Sequence, residues 1–167
     1  MRTLLKLLVP VMSFLILPVA CVMDSSDEEN DIDATSIVKV GDRIPAFTVE
    51  VVDHGQRSLF SSEQLKTETM IVFFHTTCPD CQRELPVIDA WYQRHRAGDS
   101  CYVVAIARAE DEAAIAAFWQ EHSLTIPYSP QPDRSIYHLF ATQYIPRAYL
   151  CSSKGVVTWM GIEQFDL

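Results

Sequence analysis

Met70-Ile71-Val72-Phe73-Phe74-His75-Thr76-Thr77-Cys78-Pro79-Asp80-Cys81 runs five apolar residues directly into a cysteine pair. An unbroken apolar run of this kind marks a strand buried on both faces. From Pro79 the pattern turns helical to about His95. Leu85, Ile88 (or Asp89) and Tyr92 form its inner stripe, Pro86 is an expected kink, and Gly98 closes it. Pro79 suits the first helical position, where no N–H is needed. The cysteines thus stand where a strand hands over to a helix. In open α/β sheets that carboxyl end is where chemistry sits.

Working outward, Ala46 to Asp53 alternates Phe47, Val49 and Val51, a strand pattern, and His54-Gly55 reads as a turn. Ser61 to Lys66 reads as a short helical turn capped by Ser61 or Ser62. CYVVAIA, residues 101–107, is a second buried strand. Residues 110–122 form an amphipathic helix with acids in its first turn and Ile115, Phe118 and Trp119 inward. Asp133 suits the cap of another short helix through Phe140. Residues 147–151 and 156–160 form a closing hairpin around Ser152-Ser153-Lys154-Gly155. Strands alternating with helices predict an α/β, three-layer fold. Its central sheet is mixed but mostly parallel, with helices on both faces and an antiparallel hairpin at the end.

A C-x-x-C at a helix start has a physical use. The first sulfur meets unpaired backbone N–H groups and the positive end of the helix dipole, and both favour thiolate over thiol. Such surroundings bring a cysteine pKa from about 8.5 into a range of roughly 3.5–7.5. The three-residue step returns Cys81 to the same helix face, more buried and within disulfide reach. A zinc site needs a second ligand pair, and no C-x-x-C or H-x-x-x-H partner exists. A static bridge over four residues gains little loop entropy. A redox-active Cys78–Cys81 disulfide, with no other cofactor, is the reading left. Cys101 and Cys151 fall on strands flanking the MIVFF strand, at least about 9.5 Å apart. That is beyond disulfide reach, so they read as buried free thiols. His54, His95, His122 and His138 lack ligand spacing.

From about residue 38 to 161 the chain resembles thioredoxin-like proteins of the TlpA/ResA type. Val40-Gly41-Asp42-Arg43-Ile44-Pro45-Ala46-Phe47 resembles the family's opening motif, and Cys78-Pro79-Asp80-Cys81-Gln82-Arg83-Glu84-Leu85-Pro86 its active-site signature. Tyr144-Ile145-Pro146 with Arg147-Ala148-Tyr149-Leu150 resembles its cis-proline loop and next strand, and residues 153–157 its last hairpin. The resemblance implies a thiol–disulfide oxidoreductase. Cys78 would attack and Cys81 resolve. Pro146 would be cis, with the Ile145 backbone turned toward a substrate chain that adds like an extra strand. The implied partners are protein thiols or disulfides and an upstream electron donor. Val72 stands where thioredoxin carries a buried Asp, so Cys81 needs another proton route, for which Glu84 and His75 are candidates. Thr77 replaces the usual Trp, and the family's closing helix has no counterpart after Gly161. Asp80, a carboxylate between the sulfurs, disfavours the Cys78 thiolate. That predicts a reductant with a potential nearer about -270 mV than about -120 mV.

Two rivals share this fold. A peroxiredoxin would want Pro seven before and Thr or Ser three before the cysteine, where Ile71 and His75 stand. A copper metallochaperone would use Cys78, Cys81 and His75 or His138, since thiolates suit Cu(I).

Residues 1–20 read as a signal peptide: Arg2 and Lys6, then an apolar core over 7–17, too short to span a bilayer. Val19-Ala20-Cys21 resembles a lipobox with Cys21 as the acylated residue, although Pro18 stands where an aliphatic is usual. An ordinary cleaved signal is the alternative. Residues 24–33, DSSDEENDID, carry six acids and no base, so 21–36 reads as a disordered tether before a domain at 37–167. Ser26-Asp27-Glu28-Glu29 resembles an export tag of surface lipoproteins. The expected location is the envelope of a Gram-negative-type bacterium, lipid-anchored and facing the periplasm or the surface. A net charge of -9 excludes nucleic acid as a natural partner.

Overall fold

The computed structural model describes residues 34–167. In chain order these form β1 (Thr48–Asp53), β2 (Gln56–Ser61), β3 (Glu68–Phe74), α1 (Pro79–His95), β4 (Cys101–Ala107), α2 (Glu112–His122), β5 (Tyr128–Ser129), β6 (Arg147–Cys151) and β7 (Val157–Ile162). Strand order is β2-β1-β5-β4-β3-β6-β7. Residues 70–74 have no solvent exposure at all. The reason is that β3 is paired along both edges. It runs parallel to β4, from Glu68 opposite Cys101 to Phe74 opposite Ala107. It runs antiparallel to β6, from Thr69 opposite Cys151 to Phe73 opposite Arg147.

The sheet is mixed, as predicted, but it is not mostly parallel. Only the β3–β4 and β4–β5 pairs are parallel. The β1–β2 and β6–β7 hairpins and the β1–β5 and β3–β6 pairs are antiparallel. Parallel pairing is confined to the strands joined by helical crossovers, and hairpins flank them on both sides. The sequence reading overlooked β2, which is exposed and lacks a clean alternation, and β5, which is two residues long.

Successive strand side chains point to opposite faces. Phe74 meets Trp119 of α2, ring centroids 5.0 Å apart, so α2 lies on that face. The two crossovers step the same way along the sheet, which puts α1 beside α2. Asp89 of α1 ties them: its carboxylate accepts from the backbone N–H groups of Thr125 and Ile126, just beyond α2. This makes Asp89 a cross-link and leaves Leu85, Ile88 and Tyr92 as the buried stripe. The helix runs unbroken through Pro86, and Arg96 caps it. Gly98, at φ 72°, lies in the 3-10 turn that follows. Phe73, on the opposite face, meets Phe140 at 4.9 Å and Tyr137 at 5.5 Å. The third layer is therefore the short 3-10 helix Tyr137–Leu139 and the segment before β1, not a long helix. Asp133, four residues before that helix, does not cap it but accepts from the Ser135 N–H in the loop. The expected turn after β2 is the 3-10 helix Ser62–Gln64 with Ser61 at its N-cap position, and Ser62 accepts from the Phe47 N–H and donates to the Pro45 carbonyl.

Arg147 is fully buried on the Phe73 face. Its Nε donates to the Gln143 carbonyl at 3.0 Å, Nη1 to Ser36 Oγ at 2.8 Å, and Nη2 to Thr35 Oγ1. Thr35 and Ser36, assigned above to the tether, are thus buried parts of the domain because their hydroxyls solvate this cation. The expected tether up to residue 33, the expected signal peptide and Cys21 lie outside the described residues. No helix among the described residues is long and apolar enough to cross a membrane.

Arg147→Met should remove the hydrogen bonds that the guanidinium donates to Ser36 Oγ, Thr35 Oγ1 and the Gln143 carbonyl and cost about 2–4 kcal/mol in urea unfolding. Arg147→Lys should recover less than half of the loss, because a single ammonium cannot reach three separated acceptors.

Candidate active site

Cys78 is the N-cap residue of α1 (φ -79°, ψ 120°), and Pro79 is the first helical residue. The turn is built from backbone: the Cys78 N–H donates to the His75 carbonyl and the Gln82 N–H to the Cys78 carbonyl. Gln82 Nε2 reaches back to the Thr76 carbonyl at 2.8 Å. Cys78 is partly exposed and Cys81 fully buried. Both are free thiols in the structure, with no disulfide between them. The Cys78 thiol donates to the Ile145 carbonyl at 3.5 Å, and the Ile145–Pro146 peptide is cis. Of the residues expected in the site, Cys78, Pro79 and Cys81 open α1, and the Ile145–Pro146 peptide lies against Cys78. Tyr144, at φ 66°, sits before them with its carbonyl held by the Tyr137 hydroxyl at 2.8 Å.

Burial drives the Cys81 thiol well above its ordinary pKa, and the hydrogen bond and charge of Cys78 add to this. The His75 backbone and the Arg108 guanidinium pull the other way and do not compensate. Cys81 is therefore a neutral thiol at rest. Cys101 and Cys151, also free, are pushed up by burial to about 11 and about 12. They lie on opposite flanks of β3, at the end away from the active site.

Asp80 points its carboxylate at Arg83, 2.8 Å away, whose Nη2 also donates to the Glu163 carbonyl. The sulfurs thus see a carboxylate already paired, a contact readable from the i, i+3 spacing on a helix. Glu84 is buried, not a surface acid. One oxygen accepts from Arg83 Nε at 2.9 Å, the other from the Phe165 N–H at 3.1 Å. The segment after β7 therefore folds back over the first turns of α1, and Phe165 packs against Trp159.

His75 Nδ1 accepts from the Thr77 N–H at 3.3 Å and lies 3.6 Å from Glu110 Oε1. Glu110 is a site residue that sequence reading placed in a helix instead. It precedes α2, whose N-cap is Asp111. Its buried carboxylate accepts from both the N–H and the hydroxyl of Thr76 and so fixes the loop between β3 and α1. The available signal was its position just past the carboxyl end of a central strand. Among the described residues, no three His, Cys, Asp or Glu side chains gather as a metal-binding group.

A model of the AhpC/TSA family matches residues 40–160. The chain belongs to the AhpC/TSA family. This AhpC/TSA-family chain is 24% identical over 127 residues to the thiol-disulfide oxidoreductase ResA of Oceanobacillus iheyensis. That match covers 75% of the chain and 66% of ResA, slightly under two thirds of the relative's length. Among solved structures, it superposes on a candidate protein disulfide isomerase of Bacteroides thetaiotaomicron with a TM-score of 0.69 at 23% identity, covering 77% of this chain and 82% of that one. A reduced 2-Cys peroxiredoxin of Plasmodium vivax gives 0.60 at 13% identity, covering 74% and 84%. At these identities the structures establish the thioredoxin-like fold that the family members share.

At pH 7, iodoacetamide should modify Cys78 at least about a hundredfold faster than Cys81, Cys101 or Cys151, as peptide mapping would show. Burial also gives stability a pH signature. Unfolded thiols ionise near about pH 8.5, whereas the folded chain holds the Cys101 and Cys151 protons to higher pH. Above that point the unfolded state binds fewer protons, so their contribution is complete below about pH 8 and declines between about pH 9 and 12. Urea midpoints for Cys151→Ala should fall less steeply with pH than those of the parent chain.

Proposed function

We propose that the protein is a thiol–disulfide oxidoreductase of the cell envelope that reduces disulfides in exported proteins. The observation that carries this reading is the division of labour in the pair: a partly exposed sulfur at a helix N-cap beside the Ile145 carbonyl, and a buried one a turn later. The Cys78 thiolate attacks a substrate disulfide, forming a mixed disulfide and expelling the first substrate thiolate. Cys81 loses its proton and attacks the Cys78 sulfur, which releases the second substrate thiolate and leaves Cys78–Cys81 oxidised. Two electrons from an upstream donor restore the dithiol. Substrate chain lies along Ile145 and Pro146, whose backbone offers strand-like hydrogen bonds. Between the two proton acceptors considered, His75 is the freer. Its side chain is 30% exposed, whereas both Glu84 oxygens are engaged. Acylation of Cys21 would hold the domain at a membrane, at about 0.8 kcal/mol per buried methylene.

Family membership favours one second reading, a peroxidase. Ile71 and His75 stand where a peroxiredoxin motif wants Pro and Thr or Ser, which weighs against it. The two are separated by assay. Dithiothreitol-driven reduction of insulin should depend on both cysteines, and hydrogen peroxide should not be consumed above buffer. Peroxide turnover that survives Cys81→Ala but not Cys78→Ala would establish the peroxidase instead. Cys81→Ala should also accumulate mixed disulfides in cells, which identifies the partner.

The potential against glutathione should fall nearer about -270 mV than about -120 mV. Asp80→His, which exchanges a negative for a partly positive group beside the sulfurs, should move it upward. An unchanged or lower value would remove Asp80 from the explanation.

A further inference from the structure

Arg108 follows β4 directly. Its backbone N–H donates to the Phe74 carbonyl at 2.8 Å, which seats it level with His75, at the carboxyl ends of the two central strands. Its guanidinium lies over the Tyr137 ring, 5.2 Å from the centroid. Its Nε is buried and has no hydrogen-bond partner. Three other arginines are compensated, whereas Arg96, over the Tyr92 ring at the far end of α1, is exposed to water. Arg57 pairs with Glu50 and Glu112, Arg83 with Asp80 and Glu84, and Arg147 donates to carbonyl and hydroxyl oxygens. Among the described residues, no carboxylate forms an ion pair with Arg108. A partly desolvated cation without a counter-ion is costly to keep.

One anion does arise in this corner during turnover. When Cys81 resolves the mixed disulfide, it must first become a thiolate. The titratable and charged groups of this corner are Cys78 at the N-cap, Asp80, Arg83 and Glu84 on α1, His75 on the loop, Arg108 and Glu110 beyond β4, and Tyr137 beneath Arg108. Glu84 and Glu110 are negative and held by other donors. Of the two fixed cations in this set, Arg83 is spent on Asp80 and Glu84, and Arg108 has no carboxylate partner.

We infer that Arg108 is a positioning residue of electrostatic kind: its guanidinium, held on Tyr137 with no carboxylate paired to it, favours formation of the Cys81 thiolate in the resolving step. It does the work that a neighbouring base alone would do poorly against burial. Its charge is among the influences that lower the Cys81 pKa, opposing the larger push of desolvation. The inference rests on the reading of Cys81 as the resolving thiol.

Dipyridyl disulfide, an uncharged probe, tests both separately. Cys78 attack releases one thiopyridone and leaves a mixed disulfide. Cys81 attack then forms the protein disulfide and releases the second, while its proton passes to solvent. Stopped-flow absorbance should show two releases for the parent chain. If only one is seen, the assignment of Cys81 fails and this inference with it. Given two, Arg108→Met should slow the second about tenfold at pH 7 and shift its pH profile upward by about one unit. The first should change less than about twofold. Arg108→Lys, which keeps the charge, should retain the second rate within about threefold. An unshifted second phase, equal slowing of both phases, or a Lys variant as slow as the Met variant would overturn the role. If the Met variant does not fold, Arg108→Gln is read in the same way.

Discussion

The enclosure of β3 is the constraint from which the site follows. Both of its edges are paired and both of its faces are covered, so its backbone has no freedom to slip. A one-residue shift would exchange Phe73 for Phe74 and send each ring into the wrong layer. Whatever leaves the carboxyl end of this strand is therefore placed to within the tolerance of a packed core. His75, Thr76 and Thr77 span the gap to α1, and Glu110 fastens the middle of that span from the neighbouring strand. The cysteine at the N-cap inherits that fixed position.

Charge is handled differently at each radius from the sulfurs. At the rim, Asp80 and Arg83 form a pair open to water, where such pairs contribute little to stability and mostly shape the local field. One turn further in, Glu84 is buried and spends its oxygens on Arg83 and on the chain after β7. Deeper still, Cys81 is surrounded by apolar packing and keeps its proton. The gradient from wet to dry separates a thiol that meets substrate from one that waits. A helix dipole acts most strongly on the outer of the two.

Much of this was legible in the sequence because it rests on local pattern. The apolar run 70–74, the helix 79–95 and the strand 101–107 each announce themselves by period and length, and the motifs around Cys78 and Pro146 fix their order. What was not legible depends on contacts between distant residues. β5 has two residues and exists because Val52 and Ala105 flank Tyr128. Glu110 looks like an ordinary first-turn acid until Thr76 is seen beside it. Tyr137, Arg108 and Tyr144 are far from the cysteines in sequence and converge only when the third layer folds over Phe73. The Phe73 face is covered by a 3-10 turn and coil because bulky aromatic side chains, not a helix, fill the space there.

The buried guanidinium of Arg147 has a bearing on where this domain can be cut. A boundary drawn at residue 40, where the family match begins, keeps every strand, both cysteines and the proline loop. It also discards Thr35 and Ser36, two of the oxygens that stand in for water around a charge walled off from solvent. The packed part of the chain thus begins before the family match does, and the hydration needs of one side chain join backbone pairing in holding that edge.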